Sequence, residues 1–139
     1  MRVDPLRFAV LLPTLWAAHN VGDHIAQTHH QATHKANSWA AMAGHISSYQ
    51  VVQSVAVEGV LATTGLRCSW RAKLLGATVS AATHALLDRG WPVRWIQQHT
   101  GSAEFVKLTT PINGMYVSDQ ALHHGCLLIS ALFMAVRCG

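Results

Sequence analysis

The stretch DPLRFAVLLPTLWAAHNVGD, residues 4–23, carries the pattern from which the fold is read. Asp4 can cap free backbone amides and Pro5 suits a first helical position, so a helix begins there. Its body from Phe8 to Ala18 is largely apolar and uncharged, and Pro13 is expected to kink it through its missing N–H. At its far end stand His19 and Asp23. Four residues apart on a helix, they share one face with Cβ atoms about 5–6 Å apart. An apolar helix ending in a His/Asp pair is the unit that recurs.

It recurs as His84-Ala85-Leu86-Leu87-Asp88 and, reversed, as Asp119-Gln120-Ala121-Leu122-His123, while His45 stands alone in the uncharged run Ala36–Val57. Asn37 or Ser38 can cap a second helix running to about Gly65. Ser69 can cap a third through Leu86, with Gly90 and Pro92 expected to stop it. A fourth starts between Asn113 and Ser118 and runs to about Arg137. Residues 24–37 read as a polar, histidine-rich linker, and 90–113 as a long connection with one short helix at most. Four helices alternating up and down bring the end of the first, the start of the second, the end of the third and the start of the fourth to one pole. The expectation is a single all-α domain over residues 1–139, an up-down four-helix bundle with its His/Asp motifs converging at one end. Gly76, Ser80 and His84 on one helix, and Ala40, Gly44 and Ser48 on another, form small-residue stripes that let backbones approach.

Half of the residues are apolar, 12% are charged, and the mean hydropathy is +0.22. That balance raises the membrane. A spanning helix needs about 20 apolar residues, and the charge-free runs Phe8–Gly22, Ala36–Val57, Leu74–Leu87 and Gln120–Val136 are mostly shorter. With four spans, Arg2, Arg7, Arg67, Arg71, Lys73 and Arg137 would share the cytoplasmic side. Trp16, Trp39, Trp70, Trp91 and Trp95 fall near helix ends, as interfacial aromatics do. We therefore expect a bundle embedded in a bacterial inner membrane, with lipid as its partner and the His/Asp pole outward. The first helix reads as retained rather than cleaved as a signal peptide. The +4 net charge is scattered, which gives no nucleic-acid surface. Cys68, Cys126 and Cys138 form no CxxC pair and no disulfide framework.

Ten histidines against six carboxylates favour metal or proton chemistry. The candidate ligands are His19, Asp23, His45, His84, Asp88, Asp119 and His123. Seven exceed one tetrahedral shell, so either two ions bind or some carboxylates orient imidazoles. Nitrogen and oxygen donors without thiolate suit a divalent ion, zinc first. His24 is a candidate proton shuttle, Lys35 and Arg89 are candidates to neutralise an anionic substrate, and Arg89 can equally anchor a headgroup. His29, His30 and His34 read as solvated. No HExxH, GxSxG, GxxxxGK or di-iron ExxH motif is present.

The series His19-x3-Asp23-x3-Gln27, Lys35, His45, His84-x3-Asp88-Arg89 and Asp119-Gln120-x2-His123 resembles the bacterial and phage family catalogued as domain of unknown function 3307. That resemblance covers nearly the whole chain and implies a small helical membrane protein. A looser similarity joins the pattern to inner-membrane-associated metal-dependent hydrolases whose helical fold is akin to zinc phospholipases C, although this chain lacks their longer catalytic loops. Two functions are expected from this pattern. One is a membrane-associated metal-dependent hydrolase of a phosphoester or lipid-linked substrate. The other is a non-enzymatic membrane protein of a phage or mobile element, with a structural His/Asp cluster. Passage of protons or metal ions is a third.

Overall fold

The computed structural model describes residues 2–136, and these are all-helical. In chain order the helices are α1 (Pro5–His24), α2 (His29–His34), α3 (Trp39–Thr64), α4 (Trp70–Leu87), α5 (Trp91–His99) and α6 (Gly114–Met134), with a 3-10 turn at Phe105–Lys107 before α6. Arg137, the expected end of the last helix, and Cys138 lie outside the described residues. The caps follow local chemistry. Asp4 accepts from the amides of Leu6 and Arg7, Ser38 from Ala41, Ser69 from Ala72 and Asn113 from Tyr116, so each side-chain oxygen satisfies amides that the first helical turn leaves open. Gly65, at φ +68, ends α3 in the left-handed conformation that glycine adopts without a Cβ clash.

The four long helices form the up-down bundle. α1 packs against α3 and α6, and α4 against α6 and α3. At one pole the Asp4 amide donates to the Ala135 carbonyl at 2.8 Å, and Cys68 Sγ to the Met134 carbonyl at 3.0 Å. These bonds tie the starts of α1 and α4 to the end of α6.

Each long helix buries a ladder at roughly four-residue spacing whose chemistry changes along its length. The ladders are Leu11, Leu15, His19 and Asp23 in α1; His45, Tyr49, Gln53, Val57 and Leu61 in α3; Ala72, Gly76, Ser80 and His84 in α4; and Gln120, His123, Leu127 and Ala131 in α6. Leu11, Leu15, Val57, Leu61, Leu127, Ala131 and Met134 form the apolar core near the Asp4 pole. The opposite pole is buried but polar.

Several expectations change. Residues 29–34, read as part of a mobile linker, form α2, because Thr28 and Gln31 close a reciprocal capping box. Pro92 does not terminate α4. It sits in the first turn of α5, where a missing N–H costs nothing. No helix among the described residues is long and apolar enough to cross a membrane, since the buried ladder puts polar side chains into every long helix. The small-residue stripes also serve other contacts. Gly44 faces the Gln31 side chain of α2. Gly76 faces α6, where Ser130 Oγ donates to its carbonyl at 2.7 Å.

At Gly76 a Cβ would fall 2.3 Å from Met134 Cγ and 2.9 Å from the Ser130 carbonyl oxygen. Gly76→Ala is therefore expected to lower stability by about 1–3 kcal/mol through overpacking. Gly59→Ala, with nothing within 4 Å of the new methyl, should instead gain up to about 1 kcal/mol of helix propensity. Chemical denaturation of the two variants checks the pair, and equal effects would count against close α4–α6 packing.

Candidate metal centre

The polar pole is built by the last turn of α1, the first turns of α3, the end of α4 and the first half of α6. The helical spacing of His19 with Asp23, and of His84 with Asp88, points each pair into the same interior. His45 arrives from α3 between them. His45 Nε2 lies 3.0 Å from His84 Nε2, 3.3 Å from Asp23 Oδ1 and 3.2 Å from Asp88 Oδ2. His84 Nε2 lies 3.6 Å from Asp23 Oδ1 and 3.2 Å from Asp88 Oδ2. All four side chains are at most 4% exposed. One ligand atom from each falls within 4.8 Å of the others, as do one each from Asp88, Asp119 and His123. Asp88 belongs to both groups.

These separations have a chemical meaning. Four ligands 2.0–2.2 Å from an ion at the centre of a tetrahedron lie about 3.3–3.6 Å apart along its edges. Five edges of the His45, His84, Asp23 and Asp88 set measure 3.0–3.6 Å. Asp88 Oδ2 is buried and has no well-directed hydrogen bond, although His45, His84 and Lys35 all approach it within 3.2 Å. Distance without direction suits a ligand oxygen. These buried groups could hold a metal ion.

No protein-family model, curated protein or solved structure matches this chain.

A cation already stands against this set. Lys35, at the C-terminus of α2, places its Nζ 2.8 Å from Asp23 Oδ1, 3.1 Å from Asp88 Oδ2 and 3.2 Å from His45 Nε2. Burial alone raises the pKa of the Asp23 and Asp88 carboxyls. The close approach of the His45 and His84 ring nitrogens and the nearby Lys35 charge outweigh it, holding both well below the ordinary carboxylate range. Burial opposes charge on His45 too, and the two carboxylates overcome it, so its pKa is raised.

His19, though buried here, is not part of either group. Its Nε2 meets Gln120 Oε1 at 3.0 Å and its Nδ1 meets the Tyr49 hydroxyl at 3.3 Å. With Nε2–H donating to the Gln120 carbonyl oxygen, Nδ1 accepts from Tyr49, and both nitrogens are used. Burial, offset in part by Gln120 and reinforced by His123 and His84, pushes its pKa down to about 4. Neutral His19 thus holds Gln120, whose Nε2 donates to Asp23 Oδ2 at 3.1 Å and to Asp119 Oδ2 at 3.3 Å.

Tyr49, Gln120 and the layer of Gln53 and Ser80 beneath them were not among the expected site residues. The signal for Tyr49 lay in His45-x3-Tyr49-x3-Gln53, a polar ladder inside an apolar run. Gln53 donates to the Tyr49 hydroxyl at 2.9 Å, and burial, opposed by hydrogen bonds from Ser80 and Gln53, raises that phenol to about 12. His24 stands at the mouth, partly exposed, with Nε2 3.2 Å from the Tyr116 hydroxyl and Nδ1 3.9 Å from Asp23 Oδ2. Arg89 turns away from the cluster. It donates to the Ala36 carbonyl at 2.9 Å and lies over the Trp39 ring at 3.8 Å, fastening the segment that delivers Lys35. A cavity of about 330 Å³ opens beside the cluster, lined by Asp23, His24, Lys35, Asp88, Tyr116 and Asp119 among others.

Proposed function

We propose that this protein is a zinc-dependent hydrolase of phosphoester or lipid-linked substrates, working at a bacterial membrane surface. The observation that carries the metal is the buried set of His45, His84, Asp23 and Asp88, in which five ligand-atom separations measure 3.0–3.6 Å. A divalent ion held there would bring the pKa of its water to near 7 and polarise the scissile group. His24, at the cavity mouth, is placed to pass a proton to solvent. Lys35 supplies positive charge to an anionic substrate from the cavity wall. Arg89, which this geometry commits to Ala36 and Trp39, acts by positioning Lys35 rather than by touching substrate.

The membrane part of the proposal rests on the outer surface. All five tryptophans are more than half exposed, and Trp39 and Trp91 open α3 and α5 at the pole that bears the site. Val51, Val55, Leu74, Leu75, Leu128 and Ile129 add an apolar exterior to a polar interior. Large exposed apolar surface of this kind marks a lipid or protein contact, and tryptophan favours the lipid–water boundary. The hydrolase class follows the likeness of the motif set to inner-membrane-associated metal-dependent hydrolases.

One observation favours a second reading, a non-enzymatic bundle. Lys35 already bridges Asp23 and Asp88, so the two carboxylates have a buried cation without any metal. Elemental analysis of protein purified without chelators, followed by assay on soluble phosphodiesters and on phospholipid vesicles, separates the two. Zinc bound in wild type but absent from His84→Ala, with turnover lost in the same variant, is the expected result. A correctly folded, metal-free wild type without turnover leaves the structural network.

A further inference from the structure

Asp88 presents its two carboxylate oxygens to different neighbours. Oδ2 faces His45 and His84 at 3.2 Å, whereas Oδ1 faces His123 Nε2 at 3.9 Å. His123 is 2% exposed, and its Nε2 is buried without a hydrogen-bond partner. Its other nitrogen is occupied, because Nδ1–H donates to the Asp119 backbone carbonyl at 2.9 Å and lies 3.4 Å from Asp119 Oδ2, which leaves Asp119 Oδ1 as the oxygen available to an ion. That bond fixes the tautomer and leaves the Nε2 lone pair free, the arrangement by which ligating imidazoles are oriented. His45 and His84 lack such an outer partner, since both of their Nδ1 atoms are unpaired. His123 is thus the histidine best prepared to bind, and its Nε2 faces Asp88 Oδ1.

From this geometry we infer a second divalent-cation site, held by His123 Nε2, Asp88 Oδ1 and the Asp119 carboxylate, with Asp88 bridging it to the first ion. The inference rests on the metal reading above and deepens it from one ion to a pair. One carboxylate spanning two ions suits the spacing of about 3.5–4 Å found in two-metal phosphoester hydrolases. The two positions differ in access. The side chains of the first set are at most 4% exposed, whereas the Asp119 side chain is 20% exposed, beside a cavity that Asp23 and Asp88 also line. An ion in the second position would keep open positions for water and substrate, as catalytic metals do. Gln120 binds Asp23 and Asp119 through one amide nitrogen, tying a carboxylate of each site to the other. The substrate class that fits is a phosphodiester, whose attacking and leaving oxygens two ions can clamp together.

The test is to strip the folded protein with chelator, reload it with Co(II), remove excess ion, and measure both cobalt content and the electron paramagnetic resonance signal. Wild type is expected to hold two ions per chain with a signal weakened by coupling through Asp88. His123→Gln, and independently Asp119→Asn, should each hold one ion and show an uncoupled signal of full intensity, with unchanged circular dichroism. If His123→Gln loses its fold, Asp119→Asn carries the comparison. One ion in wild type and in both variants overturns the second site and leaves the single centre standing. No ion in wild type overturns the metal reading itself, and the second site with it.

Discussion

Replacing Lys35 by Met is expected to destabilise the metal-free protein by about 3–5 kcal/mol, the usual cost of removing one partner from a buried charge network. The same substitution should tighten zinc binding by about tenfold or more. Both effects come from one arrangement. The Lys35 ammonium is 14% exposed and contacts two carboxylates that are each 4% exposed. Without it, Asp23 and Asp88 face one another with imidazoles and the neutral Gln120 amide for company, and the fold must take up a proton or separate them. A divalent ion entering the wild-type cluster has to displace that ammonium first. At an effective dielectric constant of about 20, one such pair is worth roughly 4 kcal/mol, so even partial recovery on rehydration leaves more than the ~1.4 kcal/mol that a tenfold change requires. Methionine keeps most of the stem volume and removes only the charge. Denaturation with chelator or with zinc, together with competition titration against a chromophoric chelator, reads both quantities. A Lys35→Met protein that stays destabilised in zinc and binds none would assign the cluster to structure alone. Unchanged affinity with unchanged stability would show that the ammonium is not where the geometry puts it.

Helical periodicity made the long helices and half of the site legible in the sequence. His19 with Asp23 and His84 with Asp88 lie at one-turn spacing, and alternating helices carry them to one pole. The four caps at Asp4, Ser38, Ser69 and Asn113 follow from residue type at helix starts. Periodicity did not separate ligands from supporters, because His19 and His84 occupy equivalent positions in their motifs. What distinguishes them is lateral. His19 meets Gln120 and Tyr49 across the bundle, whereas His84 meets His45 and the two carboxylates. Lys35 was legible as a charge and not as a centre. Its position depends on α2, whose capping box from Thr28 to Gln31 was masked by a polar, histidine-rich composition that reads as solvated. Arg89 shows the converse. It follows Asp88 directly, yet α4 has ended there and its side chain swings to Trp39.

At the site-bearing pole the apolar exterior and polar interior have one cause. The i, i+4 ladders place Tyr49, Gln53, Ser80 and the histidines inward there, so neighbouring apolar residues lie on the outside, while Leu11, Leu15, Val57, Leu61, Leu127 and Ala131 fill the inside toward the other pole. Such helices are apolar around most of their circumference. Yet they are interrupted often enough that none among the described residues has the length and hydropathy of a span. Exposed apolar surface of this kind suits contact with a second surface.

The metal-free protein is expected to be most stable near pH 6.5, with two limbs of different origin. On the acid side, folded His19 titrates at about 4, lowered chiefly by burial, while an unfolded histidine titrates near 6.5. Between those values the unfolded chain binds a proton that the fold refuses, so stability falls as pH drops. At about 1.4 kcal/mol per unit, the loss is about 3 kcal/mol by pH 4. His124, lowered by burial and by His123 and His24, acts in the same direction. On the basic side the sign reverses. Burial opposes charge on His45 and His123, and their carboxylate neighbours overcome it, so both titrate above their unfolded value. Their stabilisation is complete below about pH 6.5 and is lost as pH rises through the folded values. Asp23 and Asp88, both held low, contribute above the unfolded carboxyl value near 3.9 and steepen the loss only below it. Zinc inverts the basic limb, because ligation needs neutral imidazole and strengthens as protons leave. Urea denaturation from pH 4 to 9, with chelator and with zinc, measures each limb. His19→Gln, which keeps a hydrogen-bonding side chain without a titrating one, should flatten the acid limb alone. A wild-type profile level between pH 6.5 and 4 would show that His19 takes up its proton in the fold, and the neutral bridge from His19 through Gln120 to Asp23 would then fail as the support of the site.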